Sequence, residues 1–313
     1  MQTPISIILV TYNRQSLLRR MLDCILAQSF TDYELILIDN GSTDGTADIC
    51  QAYARKDARI RLQRIAQNKG ASNGRNAGLS MARGEYIAMV DDDDWCEASM
   101  IGFLWELAQE YEADIAICGS YYDFSGKYKP KYVGTERHAL GRLDALRALL
   151  LREQFNVAPP AKLFKRSLWE GLMFPEGVLV DDIHVVYKAF ERAKRVAVHN
   201  EPFYYFNRHG DNMTAFNQSK RLTPQLLDEY MRMYDTRAQF LLGRAPELAD
   251  VIAYSLHAYM LAMCTAIQAN GIEGCQRPYA SMMKRLEQGL PAFRRSGYLK
   301  PHEKDDLRRL GLL

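Results

Sequence analysis

Glu85-Tyr86-Ile87-Ala88-Met89-Val90, running without a break into Asp91-Asp92-Asp93-Asp94-Trp95, is the stretch that decides the fold. A short, nearly continuous apolar run is the signature of a strand buried on both faces, as in a parallel sheet. Four carboxylates directly behind it repel one another, so their pKa values rise unless a cation neutralises them. In an open parallel sheet ligands bind beyond the carboxyl ends of the strands, where these acids fall.

Working outward, the same kind of strand recurs at Ile5-Ser6-Ile7-Ile8-Leu9-Val10 and Glu34-Leu35-Ile36-Leu37-Ile38-Asp39, and more weakly over 59–65. Between the first two, Leu17, Leu18, Met21, Leu22, Ile25 and Leu26 recur at helical spacing. The turn-rich 40–45 opens a helix to about Ala54, and a Gly-punctuated loop and helix spans 70–81. A helix over 98–111 and a strand over 114–118 follow. This alternation predicts an α/β fold, an open sheet with helices on both faces. Beyond 120 the pattern loosens. It reads as an exposed hairpin or loop at 127–134, a helix at 143–152, a strand at 162–164, a helix at 182–193 and strands at 196–199 and 203–207. After Thr223 the chain reads as wholly helical. Leu226, Leu227, Tyr230, Met231 and Tyr234 form one stripe, and Ile252, Leu256, Tyr259, Met260 and Met263 another. The expected division is an α/β domain over 1–220, its halves meeting near 120, and a helical C-terminal region over 221–313.

Composition narrows the function. Lys plus Arg number 40 against 38 Asp plus Glu, so no nucleic-acid partner is indicated. The opening Met1-Gln2-Thr3-Pro4 lacks the basic and apolar regions of a signal peptide, and no run approaches the roughly 18 to 20 apolar residues that span a bilayer. Six cysteines at irregular spacing, with no C-x-x-C pair, read as reduced thiols. A cytoplasmic protein is expected, at most resting on the inner face of the plasma membrane. The C-terminal stripes fit core packing, a homodimer interface or a peripheral membrane contact alike.

Three loops share the carboxyl edge of the sheet: Thr11-Tyr12-Asn13, 39–44 and 91–94. In an extended segment alternate side chains share a face, which would pair Asp91 with Asp93 and Asp92 with Asp94. Such an i, i+2 pair of hard oxygen ligands suits Mg²⁺ or Mn²⁺ with positions left open for a diphosphate. A calcium EF-hand loop fits poorly, since its sixth position needs Gly and here is Cys96. No P-loop or dinucleotide fingerprint occurs. Gly70-Ala71-Ser72-Asn73-Gly74 matches a nucleophile elbow, a hydrolase reading with Ser72 as nucleophile and Asp182 and His209 as partners. The polar 67–69 breaks the strand such an elbow requires.

At the level of ordered blocks the chain resembles the GT-A glycosyltransferases of inverting family 2. Ser6–Asn13 resembles the opening strand and turn, and 28–30 with 34–36 and 39–46 the second block. Asn68, Gly70, Arg75-Asn76-Ala77-Gly78, 84–87 and 90–95 resemble the third. Phe174-Pro175-Glu176-Gly177, Asp181-Asp182 and Phe203-Tyr204-Tyr205-Phe206 resemble the distal blocks. The likeness covers about 4–214 and leaves the C-terminal helices unread.

The resemblance implies transfer of a hexose or N-acetylhexosamine from a nucleotide-diphosphate sugar, a UDP-sugar above all. The acceptor would be a saccharide or lipid-linked glycan, as in bacterial surface polysaccharide synthesis. It implies that Thr11 and Tyr12 line the base pocket, Asp39 accepts from the base, and Arg75 sits beside base or diphosphate. Asn13 and Asp92 fall with the nucleotide site, Asp91 near the ribose, and Asp93 on the Mn²⁺ or Mg²⁺. Asp182 would be the general base, with Asp181 either its replacement or an N-cap. Trp95 fits either stacking on a sugar ring or filling the core, and Arg208 and His209 fit either closing over the diphosphate or, for the His, plain solvation. Lys127, Lys129 and Lys131, with Tyr128 and Tyr132, fit contact with an acidic or lipid-linked acceptor, or simply solvated edge lysines. Two positions depart from the family: Asn40 where Asp is common, and Asp181 where Glu is common. A non-catalytic sugar-nucleotide-binding module is the alternative of another class.

Overall fold

In the computed structural model, which describes residues 3–209 and 222–313, the apolar runs form one open sheet. Strands β1 (Ile5–Thr11), β2 (Tyr33–Asp39), β3 (Ile60–Arg64) and β4 (Tyr86–Asp91) are mutually parallel in the order β3-β2-β1-β4. β1 and β2 are buried at almost every position, which explains why both read as unbroken apolar runs. Helices α1 (Leu18–Leu26), α2 (Thr46–Lys56) and α3 (Ala71–Met81) cross between them. α1 lays Leu18, Met21, Leu22 and Ile25 into the core. α3 lies directly on β1, because a side chain at Gly74 would collide with Val10 and one at Gly78 with Ile8. That close approach brings Arg75 to the carboxyl edge of the sheet.

The second half makes the sheet mixed. A two-residue strand β5 (Trp95–Cys96) precedes helix α4 (Met100–Glu110) and the long strand β6 (Ile115–Phe124). Then come β7 (Lys127–Tyr132), β8 (His138–Gly141), α5 (Arg142–Leu151), β9 (Lys162–Lys165), α6 (Asp182–Arg192) and β10 (Arg195–Asn207). β9 inserts antiparallel between β4 and β6, so the sheet departs from an all-parallel winding. The two strands expected at 196–199 and 203–207 are one, β10, whose pairing with β6 shifts register around Pro202. Proline has no N–H to give the ladder, so the strand bulges there. β7 pairs with β6 alone and forms the expected hairpin.

The described chain separates into two compact units, 1–149 with 153–208, and 150–152 with 209–313. The second holds α7 (Pro224–Arg244), α8 (Ala249–Asn270), α9 (Gln276–Arg295) and α10 (Pro301–Arg309). Thr223 caps α7 by accepting from the Leu226 N–H, and Gly271, at φ 56°, ends α8 in the left-handed conformation that glycine allows. Buried Glu303 of α10 takes the Tyr254 hydroxyl of α8 at 2.9 Å. One expectation is corrected here. The segment Pro246–Asn270 is long and apolar enough to cross a membrane by length and composition. Its Ser, Thr, His and Gln interrupt the apolar run without adding charge. Val251, Ile252, Tyr254, Met260, Leu261 and Cys264 are buried within the unit, as in a core helix. All six cysteines are unpaired. Asn212-Met213-Thr214 and Asn217-Gln218-Ser219, which match the N-glycosylation pattern N-x-S/T, lie outside the described residues.

Candidate active site

Register places three strand ends side by side: Thr11 pairs with Asp39, and Val10 with Asp91. The loops beyond them are tied together. Asn13, at φ 51°, donates its N–H to Ser42 Oγ at 3.0 Å, and its Oδ1 accepts the Thr43 N–H at 2.9 Å. Asn13 thus latches the first loop to the second. Thr11 is buried and Tyr12 is 39% exposed. Asp39 is fully buried; its Oδ1 accepts the Ser42 N–H at 3.0 Å and its Oδ2 lies 3.2 Å from Arg64 Nε. Asn40 donates from Nδ2 to Asn68 Oδ1 at 3.0 Å and to Gly70 O at 2.8 Å, which joins the loops after β2 and β3. A carboxylate could make neither bond, which gives the departure at position 40 a structural reason.

The four aspartates are not an extended segment. The Asp94 N–H reaches back to Asp91 O at 3.4 Å, closing a turn with Asp92 and Asp93 at its centre. The extended segment that would pair Asp91 with Asp93 and Asp92 with Asp94 on shared faces is therefore corrected to a turn, in which Asp91, Asp92 and Asp94 each take their own direction. Asp91 faces Arg75, with Nη2 3.2 Å from Oδ1. Asp92 faces Arg14, whose Nε is 3.7 Å away. Asp94 turns inward, accepting from the Tyr204 hydroxyl at 2.8 Å and the Asn207 N–H at 2.8 Å. Tyr204 also takes the Asp91 N–H at 3.1 Å, so this phenol holds both ends of the turn. Burial raises the pKa of Asp91, although Arg75 opposes it, and drives that of Asp94 well up, with the neighbouring acids adding to it. Burial carries Asp92 up to about 7, against the Thr11 hydroxyl.

Opposite the turn, α6 begins at Asp182. Arg75 Nη1 grips Asp181 through both carboxylate oxygens, at 2.5 and 2.7 Å. Although burial works against its charge, Asp181 and Asp91 hold Arg75 firmly cationic. Asp181 occupies the N-cap position without capping; its side chain makes no bond to the helix amides. Asp182 differs. Its Oδ1 is buried and accepts no hydrogen bond among the described residues, and burial, then Asp181, lifts its pKa to about 6. Ser72 is 3% exposed near the start of α3 and donates to Pro175 O at 2.5 Å. No strand leads into it, so the nucleophile-elbow geometry is absent.

The remaining expectations fare unevenly. Trp95 stacks on Tyr205 at 3.6 Å and 7°, and Arg20 lies over the ring at 4.8 Å. With its Nε1 also donating to Asp123 at 2.9 Å, the indole offers a sugar neither face, so its role as a stacking platform is corrected. Arg208 ends the first unit with its guanidinium 5.2 Å from the Tyr122 ring. His209 belongs to the second unit. Sequence reasoning missed Tyr204 as the brace of the turn, and Lys162, buried with Nζ donating to Ala158 O at 2.7 Å. The aromatic block at 203–206 was the only signal for the first; Lys162, one of two lysines bounding the four-residue β9, signalled nothing.

Among the described residues no three His, Cys, Asp or Glu side chains converge as a metal cage. A Mg²⁺- or Mn²⁺-type ion needs none, since one or two carboxylates plus substrate phosphates and water complete its shell. The turn carries such hard oxygen donors in Asp91 and Asp93, and the pKa of Asp91 is raised by burial first, with the charge of Asp93 adding to it. The donor set fits.

With this geometry in hand, likenesses to known proteins can be weighed. The structure superposes on S. aureus TarS 1–349, crystallised with UDP-GlcNAc, with a TM-score of 0.73 at 19% identity, covering 91% of this chain and 81% of that one. It also matches the mannosyltransferase PcManGT of Pyrobaculum calidifontis, solved with GDP-Man and Mn²⁺, with a TM-score of 0.57 at 16% identity, over 95% and 85% of the two chains. These likenesses give the fold, a GT-A architecture carrying a helical C-terminal region. In sequence, glycosyltransferase GlyG of Streptococcus pneumoniae is 31% identical over 228 residues, 69% of this chain and 75% of its own length. The model of glycosyl transferase family 2 matches residues 6–172. Matched over more than half its length and across the whole nucleotide-side edge of the sheet, the chain belongs to glycosyl transferase family 2 and is a glycosyltransferase.

Proposed function

We propose that the chain transfers a hexose or N-acetylhexosamine from a UDP-sugar to a saccharide or lipid-linked glycan, with inversion and with a divalent cation. The product would be a bacterial surface polysaccharide, made at the inner face of the plasma membrane. The observation that carries this reading is the division of labour between two adjacent acids. Asp181 is neutralised by Arg75, whereas Asp182 keeps a buried oxygen without a donor and a pKa near 6. An uncommitted carboxylate poised near neutrality can take a proton from an attacking hydroxyl.

In this reading the donor lies along the carboxyl edge. Thr11, Tyr12 and Asp39 surround the base, with Asn13 shaping the loop through its latch to Ser42 and Thr43. Asp91 and Asp92 lie against the ribose and diphosphate, and Arg75 aligns the turn with α6. Asp93, with Asp91, would hold Mn²⁺ or Mg²⁺, which when bound neutralises the charge of the departing nucleoside diphosphate. Asp182 accepts the acceptor hydroxyl's proton as that oxygen attacks the anomeric carbon from the face opposite the leaving group, which inverts the configuration. The UDP-GlcNAc held by the TarS structure favours a uridine donor, and the Mn²⁺ of PcManGT favours a metal.

The test is calorimetric titration of UDP, GDP, CDP and dTDP, each with and without Mn²⁺, on the native chain and Asp93→Asn. UDP binding that needs Mn²⁺ and is lost in the variant is expected. Binding of no nucleotide by folded protein would overturn the reading.

A further inference from the structure

β6, β7 and the end of β10 form a face whose chemistry the donor site does not use. Pairing sets Tyr122 opposite Phe206 on one side and Lys129 on the other, with Phe124 opposite Lys127. Residues two apart on a strand share a face, so Lys127 and Lys129 stand in a row beside Tyr122, Phe124 and Phe206; the pairing slips one residue at Lys131, whose ammonium comes over the same rings. Lys131 Nζ lies 3.5 Å from the Phe206 ring centre and 5.1 Å from that of Tyr122, and Arg208 adds a fourth cation over Tyr122. No acid occurs from 124 to 135, and Asp123 just before it is taken by Trp95 and Arg20. Lys127, Tyr128 and Lys129 are exposed.

Edge lysines alone would be explained as protection against strand pairing. Here the cations continue off the edge. Lys131 and buried Lys162 both line a crevice of about 10 Å³, room for roughly one water, shared with Phe155, Pro160 and Phe206. The buried Lys162 ammonium, its pKa lowered by burial to about 8, feels the charges of Cys118 and Asp182. Phe206 packs edge-on against Tyr204 at 4.9 Å, the same tyrosine that braces the aspartate turn. From β5 across β10 and β6 to β7 is about 14 Å, three strand spacings. A row of cations along a strand, interleaved with rings, matches a linear charged chain. A membrane plane would call for a broader apolar surface than Phe124 and Val133 provide.

We propose that this face binds the acceptor as a saccharide chain carrying negative charge along its length, phosphate or carboxylate. Its anionic groups meet Lys127, Lys129, Lys131 and Arg208, its rings lie on Tyr122 and Phe124, and its growing end reaches Asp182. The assignment rests on the glycosyltransfer reading for what happens at that end, while the binding itself can be measured alone.

The test uses the full chain and its Lys127→Gln/Lys129→Gln variant, both positions being exposed on β7. Binding of polygalacturonate, its fully methyl-esterified neutral form, poly(glycerol phosphate) and phosphatidylglycerol vesicles is compared, alongside UDP with Mn²⁺. Expected is binding of at least one of the two anionic chains, weakened by salt and about tenfold by the double substitution. Neither the neutral ester nor the vesicles should bind, and UDP binding should not change. Equal binding of the neutral ester, binding of vesicles alone, no binding of either anionic chain, or an unaffected variant would overturn it. Loss of UDP binding in the native chain would instead strike the glycosyltransfer reading and leave the polyanion result standing.

Discussion

Arg75 Nη1 holds both carboxylate oxygens of Asp181, at 2.5 and 2.7 Å. The ion pair bridges α3 and the start of α6, and through Nη2 it extends to Asp91 in the turn. One side chain thereby fixes the distance between the acids of the sheet edge and those of the helix, and consumes Asp181 in doing so. The acid left over is its neighbour.

Asp182→Asn should lower kcat about 10²- to 10⁴-fold, the usual worth of a general base, with the Kd for UDP unchanged. Asp181→Asn should act differently, through the fold. Removing one partner of a buried pair strands the other charge and costs about 3 kcal/mol, visible in urea denaturation. If Asp181→Asn removed turnover at full stability while Asp182→Asn stayed active, the two roles would have to be exchanged.

The pH profile follows from the same carboxyl. Asp182 works as a base only when ionised, and burial raises its pKa to about 6. Turnover should climb with pH through about 6 and then level. The linkage to stability has the opposite sense. A folded-state pKa above the unfolded value means the native chain binds more proton between about 4 and 6, so this group's contribution falls as pH rises through that window. A single-turnover rate that stays flat from pH 5 to 7 would exclude Asp182 as the titrating base.

How far the sequence discloses this site depends on the kind of information required. β1, β2 and β4 are legible because burial on both faces demands apolar residues at every position, and the acids behind them are legible because ligands collect at strand ends. The antiparallel direction of β9 is not, since a four-residue apolar strand reads alike either way. Nor do four identical residues say which one turns inward. Asp94 is chosen by Tyr204, 110 positions away, whose hydroxyl takes its carboxylate. Trp95 misled for a similar reason: both its faces are occupied by residues from distant elements, Tyr205 and Arg20.

Asn40→Asp, which restores the residue common in the family, should destabilise this chain. It replaces an amide that donates to Asn68 Oδ1 and Gly70 O with an oxygen facing both acceptors. Loss of two buried bonds with repulsion in their place costs about 2–3 kcal/mol. Differential scanning calorimetry reads the effect; an unchanged Tm would mean that the loops after β2 and β3 are held by other contacts.

Tyr204→Phe isolates the brace of the turn. The ring stays, so its packing against Phe206 survives, but the hydroxyl that accepts from Asp91 N and donates to Asp94 is lost. The Asp91 N–H and Asp94 Oδ2 then lose this partner, at a cost of about 1–3 kcal/mol. Asp94 should protonate more readily, because nothing but the Asn207 N–H then supports its charge. If the turn presents Asp91 and Asp93 to the cation, loosening it should raise the Mn²⁺ concentration needed for half-maximal UDP binding by several-fold, with metal-free behaviour unchanged. Titrating Mn²⁺ at fixed UDP separates the two effects. A stability loss with no change in Mn²⁺ dependence would show that Tyr204 supports the strand ends without shaping the acidic turn.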